Sequence, residues 1–582
     1  MNKLNQTFKI NPLYESDGYK PGHKKMLAPG TTRLYGTWIP RNLKYMPKGI
    51  TKIISAGQQL VVRYIHSTFT ENFFMWGLQG EQARIVGALS NNTHNALLKE
   101  KAMKFVSDMS KYIGMEYDGK HFEDLWDLGY LPIKVKALPE GIFTKPNIPH
   151  MTFVNTVDGY AWLTLYLETM ISKLAWQLPT VATISHRFKQ NAVEAVLKTD
   201  RDNLWLADFM CHDFHSRGGN PFTSIAAGLG HAMSNSGSDT LNVIPASRYY
   251  YDFDENDTPI YSVNASEHSV TCTGIFFYDK KLRAGELNEK IKEYYSFDVP
   301  CEGSVESPDY LAIAEWLNLA DWIQKFPSGI LSIVSDTFDL WKLITFILPR
   351  LKKEILARDG KLVIRPDSGD PVDIICGQQS PYQEDEGKWI GKWNESVQYK
   401  GVIELLWDVF GGIVNEQGYK VLDSHIGCIY GDSINIDRQV QIYSRLGAKQ
   451  YAATNVVLGI GSFSMVYITR DQAGYAAKGA WFEIDDSDCL SHSEHYDGPN
   501  YKSYNIYKDP VTDDGTKKSL KGLITVYQNS PQHETHPNEI WCGCEVTSEE
   551  ENQGLLQTIY ENGEFFNQTT LTEIRKRLNE SN

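Results

Sequence analysis

Gly329-Ile330-Leu331-Ser332-Ile333-Val334-Ser335-Asp336, Lys361-Leu362-Val363-Ile364-Arg365-Pro366-Asp367-Ser368-Gly369 and Ile426-Gly427-Cys428-Ile429-Tyr430-Gly431-Asp432 share one grammar. Each is a short apolar run that ends in an acidic or small residue, with an aspartate at or near its end. The first is followed by an amphipathic stretch from Leu340 to Leu356, the second closes in a turn, and the third leads into Ile436 to Leu446. This is how a buried strand, its loop and a crossover helix read in sequence. A fourth run, Asn455-Val456-Val457-Leu458-Gly459-Ile460-Gly461-Ser462, ends in small residues instead of an acid. Strands separated by helices run parallel, because a parallel crossover needs about a dozen residues or more. The pattern predicts an α/β fold, either a (β/α) barrel-like core or an open doubly wound sheet. In both, ligands meet the carboxyl ends of the strands, so Asp336, Asp367, Asp432 and the Gly459–Ser462 turn are expected at one mouth. The plainer alternative is that each Asp caps the helix that follows it.

Outward from this core the texture changes. Gly30 to Ile39 and Leu131 to Ala137 alternate as half-buried antiparallel strands would. They predict a second, sheet-rich α+β domain built from residues 1–175 and 471–582, around a barrel-like catalytic domain at 176–470. Two polar, aperiodic stretches, 378–398 and 484–504, read as inserted surface loops. Thr570-Leu571-Thr572-Glu573-Ile574-Arg575-Lys576-Arg577-Leu578 reads as a capping box opening a short docked helix.

The chain has 582 residues, of which 42% are hydrophobic and 22% charged, enough for two to four domains with substantial cores. Lys and Arg number 57 against 72 Asp and Glu, a net charge of −15 with no long basic run, so a nucleic-acid groove is not expected. The eight cysteines are scattered without CxxC spacing, which predicts reduced thiols in a cytosol-like compartment. No export signal, membrane span or repeat period is legible.

Several segments carry chemistry. His212-Asp213-Phe214-His215-Ser216-Arg217-Gly218-Gly219-Asn220 sets an aromatic three positions before an arginine, and two glycines then allow close backbone approach. It suits an anion beside a stacked ring, or equally a turn with a core Phe. Ala226 to Ala232 reads as a packed helix start, with Gly228 and Gly230 only a fragment of a dinucleotide fingerprint. Asp239 sits in a small-residue turn, suited to accepting from a ligand amide or hydroxyl. His268, beside Glu267, offers acid–base work, phosphoryl transfer or metal binding. If Asp336 reached it, the carboxylate would fix the tautomer and sharpen the nucleophile. Asp485, Asp486, Asp488, Cys489, His492 and His495 crowd possible ligands together, yet match no zinc spacing. Asp17, Tyr19 and Lys20 read as a basic, aromatic loop.

Taken in order, Asn11-Pro12-Leu13, Ser16-Asp17-Gly18-Tyr19-Lys20, His212-Asp213-Phe214, Arg217-Gly218, Gly237-Ser238-Asp239-Thr240, Ser266-Glu267-His268-Ser269, Val334-Ser335-Asp336, Ile364-Arg365-Pro366-Asp367-Ser368-Gly369, Gly431-Asp432, Thr469-Arg470-Asp471 and Lys508-Asp509-Pro510-Val511 resemble the nicotinamide phosphoribosyltransferases, of the type II phosphoribosyltransferase family. The resemblance implies a cytoplasmic homodimer with sites at the subunit interface. The implied reaction has nicotinamide displace pyrophosphate from phosphoribosyl pyrophosphate. By the same resemblance Phe214 and Tyr19, the latter from the second subunit, sandwich the pyridine ring, with Asp17 nearby. Asp239 accepts from the carboxamide, and Arg365 and Arg217 hold amide or anionic oxygens. Asp367 binds the ribose and supports positive charge at the anomeric carbon. Gly431, Asp432, Gly461 and Ser462 take the phosphate end, and Arg41, Arg470, Lys478 and Lys508 take pyrophosphate with Mg²⁺, or ATP. His268 is the implied phosphohistidine of an ATP-coupled step, with Asp336 as its orienter. Ser462 and Phe463 depart from the family's run of glycines, and the two inserted loops have no counterpart.

Three other readings compete. Nicotinate phosphoribosyltransferase shares the chemistry but must accept a carboxylate, which Asp239 would repel. A non-catalytic ligand-binding protein of the same fold would be expected to have lost His268, Arg365 or Asp367. A metal-dependent hydrolase would need a His pair at ligand spacing beside the aspartates.

Overall fold

In the computed structural model, which describes residues 10–74, 92–297, 303–378, 384–385, 388–389, 397–487, 500–512, 519–528 and 539–580, all four apolar runs are parallel strands. Along the chain the strands run β1 (Thr31–Ile39), β2 (Ile133–Ala137), β3 (Met151–Asn155), β4 (Cys211–Asp213), β5 (Asn264–Ala265), β6 (Leu331–Val334), β7 (Leu362–Arg365), β8 (Ile426–Tyr430), β9 (Val456–Ile460), β10 (Ala476–Asp485), β11 (Tyr501–Asn505), β12 (Ile524–Gln528), β13 (Ile540–Cys544), β14 (Gln557–Glu561) and β15 (Glu564–Phe565). The chain divides into two compact units. One comprises Met1–Thr183, Pro245–Asn256 and Thr469–Asn582; the other comprises Ile184–Ile244 and Asp257–Ile468.

The second unit is built on the parallel sheet β4-β9-β8-β7-β6-β5. β6 and β8 are buried along their whole length, which is why they read as continuous apolar runs. Two isolated parallel bridges, Asp213 with Ser238 and Gly237 with Tyr261, carry the pairing from β4 back toward β5. The result is the irregular barrel-like core that the sequence predicts. The expected helix after β6 is broken: a π-turn spans Leu343–Ile347, and Leu351 interrupts the helix two residues beyond Pro349. Ile436–Ala448 is a regular helix, opened by Asn435 as cap. Gly228 and Gly230 do not start a helix but lie late in Pro221–Ala232. A Cβ on Gly228 would come 2.4 Å from Val243, so its glycine serves packing.

The first unit holds the seven-stranded antiparallel sheet β11-β10-β1-β3-β2-β14-β15. β1 and β2 each pair antiparallel with β3 as expected for antiparallel strands, but β1 is not half-buried: Leu34 to Ile39 are all buried, because β1 is an interior strand of the sheet, between β10 and β3. The loop expected at 484–504 begins and ends in paired strand, with Ile484 opposite Lys502. β11 is exposed throughout, so no burial alternation marked it. Residues 488–499, which include Asp488, Cys489, His492 and His495, and most of 378–398 lie outside the described residues. The closing helix, Leu571–Glu580, forms as predicted. Thr570 Oγ1 accepts from Glu573 N at 3.2 Å, Glu573 Oε2 accepts from Thr570 N at 2.8 Å, and Leu571, Ile574 and Leu578 are buried.

Lys136 on β2 is buried and paired with Glu551 at 2.5 Å, with a further bond to Asn552 Oδ1 at 2.7 Å. Removing one partner strands the other charge in a poorly solvated place. Lys136→Met is expected to cost about 3 kcal/mol in guanidinium unfolding, and the double change with Glu551→Met to recover most of that loss.

Candidate active site at the carboxyl ends of the parallel strands

Helix capping does not account for the strand-end aspartates. The caps are Asp339, Asp370 and Asn435, three residues further along each loop. Asp336 instead staples two loops together: its Oδ2 accepts from Asp367 N at 2.9 Å, Ser368 N at 2.8 Å and Ser368 Oγ at 2.5 Å. Its Oδ1 is buried and has no hydrogen-bond partner among the described residues. His268 is the first residue of the helix His268–Arg283. Its Nδ1 lies 3.0 Å from Thr337 Oγ1, and its Nε2 lies 3.3 Å from Asp367 Oδ1 and 3.8 Å from Asp336 Oδ1. Asp336 is therefore near His268, but Asp367 and Thr337 are the groups within hydrogen-bond range. One ligand atom from each of His268, Asp336 and Asp367 can be chosen so that all three fall within 4.8 Å of one another. Burial, with Asp336, Asp432, Asp367 and Asp370 around it, pushes the Tyr430 phenol well up.

A second group surrounds Phe214. A Cβ on Gly459 would meet the Phe214 ring at 2.6 Å, so only glycine on β9 lets the ring lie there. Asp239 faces the same region, with Oδ1 accepting from Ser262 Oγ and lying 3.0 Å from His212 Nε2. Burial pushes the Asp239 carboxyl up, but the hydrogen bonds of His212 and Ser262 and the charge of Arg365 outweigh it, so it stays ionised below the usual range. Arg365 donates from Nη2 to Ser266 O at 2.5 Å, and its Nε is buried without a partner among the described residues. Beneath these, Asp213 is fully buried, 2.5 Å from His215 Nδ1 and accepting from Ser238 Oγ at 2.8 Å. It ties β4 to the turn that carries Asp239, whose amide donates to Asp213 O at 3.0 Å.

At the end of β9, Ser462 turns inward, donating to His215 O at 3.0 Å. A Cβ on Gly218 would lie 2.1 Å from Ser462 Oγ, so the serine fits because residue 218 is glycine. Phe463 points to solvent, 57% exposed, and stacks on Tyr467 at 6.0 Å. Gly461 is extended, with open space where a Cβ would be. The Gly431 amide already donates to Pro366 O at 3.1 Å, leaving the Asp432 amide without an acceptor among the described residues. Arg217 is almost fully exposed, 3.7 Å from Glu267.

The remaining predicted residues lie in the first unit. Asp17 Oδ2 accepts from Thr169 Oγ1 at 2.6 Å, and Tyr19 is 64% exposed. Arg41 Nε donates to Gly474 O at 2.8 Å, beside the turn Arg470–Gln472. Lys478 lies 3.4 Å from Glu168, which also pairs with buried Lys20 at 2.7 Å. Lys508 is exposed, its amide bonded to Ser519 Oγ at 2.9 Å.

Sequence reasoning missed the roles of His212, Ser262, Thr337 and the Asp213–His215 pair. His212 and His215 were visible inside the aromatic–arginine segment. Thr337 follows Asp336 directly, and a hydroxyl after a strand-end acid was the available signal.

The family model described as the nicotinate phosphoribosyltransferase (NAPRTase) family matches residues 209–564. A protein named nicotinamide phosphoribosyltransferase from Acinetobacter baylyi is 33% identical over 585 residues, covering 98% of this chain and 98% of its own. Another of that name from Xanthomonas campestris pv. campestris is 28% identical over 461 residues, covering 77% and 79%. Among solved structures, human nicotinic acid phosphoribosyltransferase is similar with a TM-score of 0.48 and 14% identity, over 98% of this chain and 93% of that one.

Burial pushes the Asp213 carboxyl up, but hydrogen bonding to His215 and the charges of His215 and His231 pull it well below the ordinary 3.8. A depressed folded value stabilises above the unfolded value and is lost as pH falls through the folded one. Asp213→Asn is expected to be less stable by about 3 kcal/mol at neutral pH. Chemical denaturation across pH should show the gap to wild type narrowing only below about pH 4.

Proposed function

The chain belongs to the nicotinate phosphoribosyltransferase family, and from that premise we propose that it transfers phosphoribosyl from 5-phosphoribosyl 1-pyrophosphate to nicotinamide, releasing pyrophosphate and forming nicotinamide mononucleotide in NAD salvage. The observation that carries the choice of substrate is Asp239. Its Oδ1 is taken by His212 and Ser262, and its Oδ2 has no partner among the described residues. An ionised, half-satisfied carboxylate beside an aromatic face suits a carboxamide N–H₂ and repels the carboxylate of nicotinate.

In this reading Phe214 stacks on the pyridine ring, Arg365 meets the carboxamide oxygen, and Asp239 fixes the orientation of the ring nitrogen toward the anomeric carbon. As the pyrophosphate bond loosens, Asp367 stabilises the positive charge on the ribose. Arg217, the Asp432 amide and the Gly461–Ser462 turn take the phosphoribosyl phosphate. Gly431 contributes by letting the backbone approach, since its own amide is used. Arg41, Arg470, Lys478 and Lys508 belong to the pyrophosphate and ATP side.

A divalent cation fits Asp336 and Asp367, because Asp336 Oδ1 is buried without a hydrogen-bond partner and such an oxygen seeks a hard cation. When bound, Mg²⁺ neutralises pyrophosphate. ATP stimulation belongs to the same proposal: the γ-phosphoryl passes to a His268 nitrogen and ADP leaves. The contacts of His268 with Thr337 and Asp367 support a ring held in one orientation. A cytoplasmic homodimer is the further part, in which Tyr19 of the partner subunit covers the ring on Phe214; its exposure supports a role outside its own core.

The test offers nicotinamide and nicotinate together with phosphoribosyl pyrophosphate and Mg²⁺, with and without ATP, and reads products by mass spectrometry. Nicotinamide mononucleotide is expected to dominate, with ATP raising its yield in wild type and not in His268→Ala. A predominance of nicotinic acid mononucleotide would sink the substrate assignment. Asp239→Asn is expected to lower the nicotinamide preference about 100-fold in kcat/KM. Gly459→Ala, by displacing Phe214 and crowding the Tyr430 carbonyl at 2.8 Å, should raise KM for the pyridine substrate about tenfold, with circular dichroism and thermal unfolding separating that effect from a loss of fold.

A further inference from the structure

Glu168 is a carboxylate to which the proposed reaction gives no part. It stands on the helix Ala161–Leu174, which packs against β1, β3 and β10. The same helix holds the segment that carries Tyr19. Tyr166 O accepts from Ser16 Oγ at 3.0 Å, Thr169 Oγ1 donates to Asp17 Oδ2 at 2.6 Å, and Lys173 Nζ donates to Glu15 O at 2.8 Å. Glu168 itself serves two ammonium groups in opposite circumstances. Its Oε2 lies 2.7 Å from Nζ of Lys20, whose side chain is buried, and a buried ammonium without a counter-charge is costly. Its Oε1 lies 3.4 Å from Nζ of Lys478, whose side chain is half-exposed on β10. Among the described residues Glu168 is the only carboxylate paired with either lysine. His23, whose ring lies 5.4 Å from Tyr19, adds no third cation at neutral pH: burial, and after it the charge of Lys20, hold its imidazole below the ordinary 6.5. One carboxylate thus faces two ammonium groups, and the surplus positive charge rests on the lysine that reaches solvent.

We propose that Glu168 is a positioning residue that tempers Lys478, presenting its ammonium to pyrophosphate while competing for it, so that the product is held weakly enough to leave. The inference rests on the reading in which Lys478 faces pyrophosphate. Lys20 cannot take that part, because its ammonium is buried and committed at 2.7 Å. The Lys478 pair is longer and half-exposed, which places it among the weak ion pairs that a ligand can displace. Cleavage leaves the bonding electrons on the diphosphate, so pyrophosphate departs with one negative charge more than the ester carried. An unopposed ammonium would therefore hold the product more tightly than the substrate. Glu168 offsets part of that preference, and its second oxygen anchors the competition to a buried pair that does not move with the ligand.

Glu168→Gln alone leaves Lys20 buried without a counter-charge, so the test pairs it with Lys20→Met, which removes both buried charges together and keeps the net charge unchanged. In calorimetric titration with pyrophosphate and Mg²⁺, the whole protein carrying this pair of changes is expected to bind pyrophosphate about fivefold more tightly than wild type. With Lys478→Met added to both proteins the tightening should vanish, an outcome that a general loosening of the fold would not give. Pyrophosphate bound no more tightly by the paired variant, or tightened equally when residue 478 is already methionine, would overturn the proposal. The titration does not depend on turnover, so wild type that binds pyrophosphate but forms no nicotinamide mononucleotide would count against the proposed reaction, not against the Glu168–Lys478 competition.

Discussion

Register in the parallel sheet of the second unit is the constraint on which the site depends. Cys428 is locked between Ile364 on one side and Val456 on the other, and Ile460 lies opposite Asp213. These pairings bring the ends of β4, β6, β7, β8 and β9 to one edge, so Phe214, Asp336, Asp367, Asp432 and Gly461 leave neighbouring strands at the same level. A slip of one residue would turn every side chain of a strand to its other face. The Asp336 carboxylate adds a lateral tie, holding the loop after β7 against the loop after β6 through three donors.

The parts of this arrangement that were legible in sequence share a physical reason. Strands covered on both faces, such as β6 and β8, need unbroken apolar runs, and the acids at their ends stand out against them. β4 is three residues long, too short to carry a pattern, and its place is fixed by pairing with β9 rather than by its own composition. Strand β1 showed enough alternation to suggest a strand, but not its interior position. The site residues that escaped notice act through contacts distant in sequence: Ser262 reaches Asp239 across 23 positions, Thr337 reaches His268 across 69, and Ser462 reaches His215 across 247. The departure at Ser462 illustrates this best, because its compensating partner, Gly218, is visible only once β4 and β9 lie side by side.

Charge in the site is arranged before any ligand arrives. Arg365 sits among Asp239, Asp336 and Asp367 with its Nε unbonded, and Asp336 keeps one oxygen unbonded as well. Buried groups left short of partners destabilise the empty protein, and the same groups need little reorganisation when an anion or cation meets them. In the proposed reaction, a chain of net charge −15 would meet phosphorylated molecules through a few placed cations and amides rather than through a basic surface.

The interior position of β1 also sets a timetable for biosynthesis. Its neighbour β3 follows within about 120 residues, but Thr37 bonds to Lys478, 441 positions later. A ribosome adding about 5–20 residues per second needs on the order of tens of seconds to deliver β10. Through that interval β1 presents one open, apolar edge to the cell, while all six strands of the parallel sheet emerge before β10. The nascent chain is consequently most exposed to edge-to-edge association while its parallel core is being assembled.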